Sequence, residues 1–244
     1  WMGTSAANSS DEWIELYNNG TSTIDISGWR LISSDGSPNI TFSTSSILAN
    51  GYYLVERTDD TTISDILADW QGSFGQGGLN NNGEKLELRD AGNNLIDFLD
   101  FSAGWPVGSS TPNYISMERV NNNWASNNLI TRNGLDAAGN KINGTPRAQN
   151  SVSASSTIIF SLPFDEFSEI TLTKPGSPYI IQQSLTVPIG KTLKIGPGAV
   201  LKFEDSREIE IRGDLKAIGS ESEKIVFTRN SVSSPGNDRY RLHF

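Results

Sequence analysis

Through the first half of the chain, apolar residues fall at every second position in short runs. "DEWIELYNNG", residues 11–20, sets the pattern: Trp13, Glu15 and Tyr17 alternate with Ile14 and Leu16, and the run stops at Asn18-Asn19-Gly20. Similar runs follow at 23–33, 40–42, 52–57, 85–89, 95–101 and 115–119. Between them stand Asn19-Gly20, Asp35-Gly36, Asn50-Gly51, Asn82-Gly83 and Ala91-Gly92-Asn93, pairs and triplets that tolerate positive φ and close hairpins at little steric cost. About seven short strands at this spacing predict an antiparallel sandwich. A single short helix is expected at 60–70, behind the capping pair Thr58-Asp59. Residues 121–150 are Asn-rich and read as a long irregular connection.

Near residue 156 the period changes. Apolar pairs two apart now recur every 22 to 24 residues: Ile181, Phe203 and Phe227; Leu185/Val187 and Ile209/Ile211; Leu193/Ile195 and Leu215/Ala217. Three pairs per period predict three short strands per coil of a β-solenoid, each pair stacking on its counterpart one coil later. A second small β-sandwich is the alternative. The expected division is 1–150 for the first domain, 151–155 for a linker and 156–244 for the first coils, truncated at the end.

Composition narrows the function. With 23 Gly and 10 Pro among 244 residues, turns outweigh helices. A formal charge of −9 offers no basic stripe and argues against nucleic acid. There is no Cys and one His, His243, so thiolate chemistry is excluded and an imidazole base or zinc site has little to build on. No run of 18 apolar residues is present, so no membrane-spanning segment is expected. The sequence opens on Trp1-Met2 inside an apolar stretch, which reads as a cut end.

In combination, "WMG…DEWIELYN…IDISGWRL", "GYYLVERTDD", "GEKLELRDAGNNLID", "WP.G…SMER" and "GTPRAQN" resemble the bacterial form of the lamin tail domain, across residues 1–150. The resemblance implies an immunoglobulin-like β-sandwich. Arg147 stands where that family usually has glycine. The later half is similar to the opening coils of a right-handed parallel β-helix of the pectate-lyase-like kind.

Candidate chemistry is sparse. Asp11 and Glu12 are adjacent on a strand, so they point to opposite faces and cannot act as a catalytic pair; they read as a solvated strand start. Asp59, Asp60, Asp65 and Asp69 fit no EF-hand spacing and read as a capped turn with a solvated acidic face. Arg89–Asn94, "RDAGNN", reads as a hairpin turn. Of the six tryptophans, Trp29 and Trp105 are expected in the core. Trp70 and Trp124, in polar loops, are the candidates for stacking on a sugar, while Trp1 and Trp13 carry no assignment. Lys202, Glu204, Arg207, Glu208 and Arg212 read as a mixed-charge solvated face rather than a lyase groove. The expectation is an all-β, non-catalytic module with no catalytic, cofactor or metal residues. It would serve display, adhesion or assembly at the cell envelope of a bacterium, extracellular or surface-bound, with a protein or polysaccharide partner there. Edge-to-edge self-association through the β-helix end is a further expectation. The alternatives are a carbohydrate-binding accessory region of a larger β-helix enzyme and an intracellular scaffold.

Overall fold

Alternation of apolar and polar residues produces strands nearly everywhere. The computed structural model describes residues 10–75, 77–120, 123–152, 156–230 and 241–243. Among them the helical structure is one 3-10 turn, Lys174–Gly176. The chain divides into two units, 1–117 with 132–149 and 118–131 with 150–244.

In the first unit the strands are β1 (Trp13–Tyr17), β2 (Ile24–Asp25), β3 (Arg30–Ser33), β4 (Asn39–Thr41), β5 (Ser46–Ile47), β6 (Tyr52–Arg57), β7 (Trp70–Gly72), β8 (Lys85–Arg89) and β9 (Leu95–Asp100). They form the sheets β1-β6-β7 and β4-β3-β8-β9, with β2-β5 as a short ribbon. Ile14, Leu16, Tyr53 and Val55 from one sheet meet Leu31, Ile40, Leu86 and Leu99 from the other, around Phe42 and Phe74. This is the immunoglobulin-like sandwich. The run 23–33 splits in two because the Trp29 N–H turns back to Ile26 O, 3.0 Å away.

The expected helix at 60–70 is instead a run of turns that ends in β7. Its own acids explain this. Asp59 Oδ1 accepts the Thr61 N–H at 3.0 Å, and Asp60 Oδ1 accepts the Ala68 N–H at 2.7 Å. Side chains thus bind backbone donors that a helix ladder would need. These turns and the 134–142 segment cover the outer face of β1-β6, where Trp13, Leu54, Ile63 and Ile142 make a second small core. Gly144 is required there: a Cβ would lie 2.9 Å from the Trp13 ring and 2.7 Å from Ser116 Oγ.

At the start of the second unit β10 (Met117–Val120), close to the strand expected at 115–119, pairs with β11 (Asn123–Ser126), which lies in the stretch expected to be irregular. Glu118 is buried, accepting Asn127 Nδ2 and Ser151 Oγ, both at 2.7 Å. Of the expected linker, Ser151 and Val152 are buried, and 153–155 lie outside the described residues. Then come β12 (Thr157–Ile159), β13 (Glu169–Leu172), β14 (Tyr179–Ile181), β15 (Leu185–Val187), β16 (Thr192–Ile195), β17 (Val200–Phe203), β18 (Glu208–Ile211), β19 (Asp214–Ala217), β20 (Val226–Arg229) and β21 (Arg241–His243).

Three parallel sheets, β12-β14-β17-β20, β13-β16-β19 and β15-β18-β21, wind a β-solenoid of about three turns. Leu185 stacks on Ile209, Val187 on Ile211, Leu193 on Leu215 and Ile195 on Ala217, as the periodicity predicts. One column differs. Ile181 meets Phe203, but Phe203 is opposite Arg229, and Phe227 pairs with Leu201. The two phenylalanine rings still stack offset, 6.5 Å apart, because an aromatic side chain reaches a diagonal neighbour. In β21, Leu242 pairs with Ile209; Tyr240 and Phe244, expected in the same strand, lie outside the described residues.

Candidate functional site

Two places in the first unit gather polar chemistry. The first is a cleft of about 240 Å³ lined by Asn81, Asn82, Gly104, Trp105, Val107 and Gly108, with Ser109 and Ser110 at one end. The turn after β9 holds it open. The Gly104 N–H bonds Phe101 O at 2.8 Å, which delivers Trp105 to the surface, and the indole N–H donates to Asn80 O at 2.9 Å. Phe101 backs the indole, with ring centroids 5.9 Å apart. Gly83, at φ +122, lets the Asn82 turn come against this segment, since any Cβ there would strike Phe101 O. An aromatic ring beside two amides and the Ser110 hydroxyl, with the Ser109 hydroxyl oxygen buried, suits a neutral, hydroxylated ligand that offers an apolar ring face and several hydrogen bonds.

This reverses the expected roles of two tryptophans. Trp105 is half-buried and lines the cleft rather than the core. Trp70, expected in a polar loop, packs on the sandwich core with its ring 6.1 Å from Phe74. The tryptophan's setting follows from which strand its turn joins, and local polarity does not carry that. Trp29 is half-buried against the core as expected. Trp124 lies with Arg119 over its ring at 5.8 Å, and Trp1 is outside the described residues.

The second place is the mouth of β1. Asp11 and Glu12, expected in solvent, are both buried, at 4% and 2% exposure. Alternation sends them to opposite faces. Glu12 turns inward, pairs with Arg57 at 3.2 Å and accepts the Leu79 N–H at 2.8 Å. Burial still raises its pKa, against the lowering by the Leu79 bond and Arg57. Asp11 turns outward beneath the covering turns, and burial, then Asp59 and Asp136, raises its pKa. Glu56, the register partner of Trp13, is fully buried on the same outer face. Burial pushes its carboxyl up to about 8; bonds from Ile63 and Thr62 oppose this, and the charges of Asp60 and Asp59 add to it. No sequence signal singles out Glu56: it sits in an ordinary "YYLVER" strand, and only the loop folded over it makes it unusual.

The remaining acids of the loop act as separate anchors. Asp65 accepts the Leu135 N–H at 2.7 Å, and Asp69 accepts that of Leu54 at 2.7 Å while pairing with Arg147 at 2.6 Å. Arg147 has φ +52, the conformation that favours the usual glycine. Its side chain also reaches Leu67 O, and its N–H meets Glu15 Oε2 at 2.6 Å. The anchors offset the backbone strain. "RDAGNN" is the hairpin turn of β8 and β9, with Asp90 and Asn94 bonded across it. On the solenoid, Arg212 pairs with Glu210 and Arg229 with Asp205, a solvated face. Among the described residues no three His, Asp or Glu side chains already stand together to hold a metal, and no helix is long and apolar enough to cross a membrane.

The sandwich, its two-layered β1 and the solenoid can be set against known proteins. Residues 2–103 match the family described as Lamin Tail Domain. The lamin-tail match covers β1 through β9 and ends just before Trp105, so the cleft's second wall, Asp136 and the "GTPRAQN" segment lie beyond it. A 60-residue stretch, 25% of this chain, is 40% identical to Protein bark beetle of Drosophila melanogaster. That stretch is 2% of the fly protein's length, so the chain spans a very small part of that relative. A lamin tail domain joined to a β-solenoid fits a non-catalytic or accessory module.

Proposed function

We propose that the chain is a non-catalytic accessory module of a secreted or surface-displayed bacterial protein, and that its first unit holds polysaccharide at the cell envelope through the Trp105 cleft. The observation that carries this reading is the arrangement of the indole. It is fixed through Asn80 O and backed by Phe101, with Asn81, Asn82, Ser109 and Ser110 around it. The cleft is smaller than the roughly 300 Å³ of the smallest drug-sized pockets, which suits a ring or two of an extended chain rather than an enclosed substrate. Catalysis is not part of the proposal, because neither the cleft nor the buried acids present a nucleophile beside a base. Titration calorimetry with soluble envelope polysaccharides tests it. Trp105→Ala should weaken binding about tenfold, the loss of one stacking contact, while Trp124→Ala should leave it intact. Equal affinity in wild type and Trp105→Ala would sink the reading.

Assembly through the solenoid is a second reading, favoured by Ile218 at 71% exposure beside β19, which has one sheet neighbour, β16, among the described residues. Light scattering of the chain and of Ile218→Lys checks it: a dimer that dissociates in the variant supports it, and a wild-type monomer rejects it.

A further inference from the structure

The outer face of β1-β6 carries two carboxyl oxygens for which the protein supplies no hydrogen-bond donor. They are Asp11 Oδ2 and Glu56 Oε1. The β1-β6 pairing runs past Trp13 and Glu56, since the Arg57 N–H bonds Glu12 O at 2.8 Å. Asp11, two residues before Trp13, therefore falls on the same side as Trp13 and Glu56, diagonal to Glu56. Asp59 acts electrostatically on both carboxyls, Asp60 on Glu56 and Asp136 on Asp11. The nearby cations are committed elsewhere, Arg57 to Glu12 and Arg147 to Asp69.

A buried carboxylate oxygen without a donor leaves its charge poorly compensated, at a cost of about 1–3 kcal/mol or more, and packing several acids together adds repulsion. A water molecule would satisfy the hydrogen bond and leave the charge. A proton would remove the charge, one group at a time. A divalent cation removes both terms at once, and an all-oxygen surround selects a hard ion that accepts six to eight oxygens. We infer that Asp11 and Glu56 are the buried carboxylates of a Ca²⁺-type cation site, completed by Asp59 and by neutral oxygens of the covering turns. Glu56 and Asp59 lie three residues apart, but Asp11 comes from a separate strand, so no linear spacing of acids announces the site. The third carboxylate must turn in on binding: Asp59 is exposed and is held by its near neighbour Thr61, through its backbone N–H at 3.0 Å and its hydroxyl at 2.5 Å. Asp136 is already engaged with the Ala138 and Asn140 N–H groups and acts from behind, by charge.

The full chain, stripped with chelator at pH 7.5 and then titrated with Ca²⁺, gives the direct test. At a hundredfold excess over its Kd the ion should raise Tm by roughly 5–10 °C. Tb³⁺ in place of Ca²⁺ should show emission sensitised through the Trp13 indole, which shares this face. Glu56→Gln and Asp11→Asn, each compared with wild type in chelator, should lose both the shift and the emission; the Gln variant, free of the buried charge, should be at least as stable as metal-free wild type. Absence of a shift and of emission in wild type overturns the inference, even if a variant fails to fold. A shift that survives in both variants overturns it too, because the ion then sits elsewhere.

Discussion

The two units bury their strands in different ways. In the solenoid each inward residue rests on a like residue one coil away: Leu185 on Ile209, Leu193 on Leu215, Ile170 on Leu193. Charges stay outside, as with Lys194 and Glu169, paired at 2.6 Å. In the lamin-tail unit β1 and β6 are covered on both sides, by the second sheet and by the turns above, and the second cover traps Asp11 and Glu56. A repeated column therefore selects mostly apolar occupants, with exceptions at its ends such as Thr157 and Arg229. A strand roofed by loops takes in ionisable groups, because loops bring backbone donors and carboxylates of their own. Sensitivity to pH and to ions should belong to the roofed strands of the first unit, and sensitivity to side-chain volume to the coils of the solenoid.

The largest expected effect tests that division by pH. Glu56 has its pKa raised from the ordinary 4.5 to about 8, so the native state holds this proton more tightly than the unfolded chain. Its contribution is fully present below about pH 4.5 and is lost as pH rises through about 8. Without divalent ions, that is a loss on the order of 5 kcal/mol. Chemical denaturation of the first unit across this range should show the slope, and Glu56→Gln should flatten it. A flat wild-type profile would break the contrast.

Next comes the inward-facing ion pair. Arg57→Met strands Glu12, at 2% exposure, and should cost about 3–5 kcal/mol, measured by urea unfolding. In the solenoid, Ile209→Ala removes the middle member of the column Leu185–Ile209–Leu242 and should cost about 2–5 kcal/mol, independent of pH. A pH-dependent cost there would blur the distinction. The smallest effect sharpens it: Lys194→Ala breaks a half-exposed pair and should change stability by no more than about 0.5 kcal/mol in the same assay.

The sequence by itself determined the two architectures. Alternation with Asn-Gly and Asp-Gly punctuation specifies a sandwich, and a 22-to-24-residue period specifies coils, because both patterns follow from which side of a strand meets the core. It also determined most of the solenoid's register, since stacking couples residues one period apart. The departure at Phe203 and Phe227 arose where a long side chain bridged a two-residue offset. Tertiary structure alone decided the rest. The 60–70 stretch became turns because its acids found backbone donors nearby and in distant segments, such as Leu54 N and Leu135 N. Trp105 reached the surface and Trp70 the core according to the strands their turns join. Asp11 became a buried carboxyl beneath segments distant in sequence, around Asp59 and Asp136, and Glu56 beneath the turns that directly follow it. Burial is a property of what folds over a residue, and a strand's own sequence records only its two faces, not the roof that the rest of the chain puts on them.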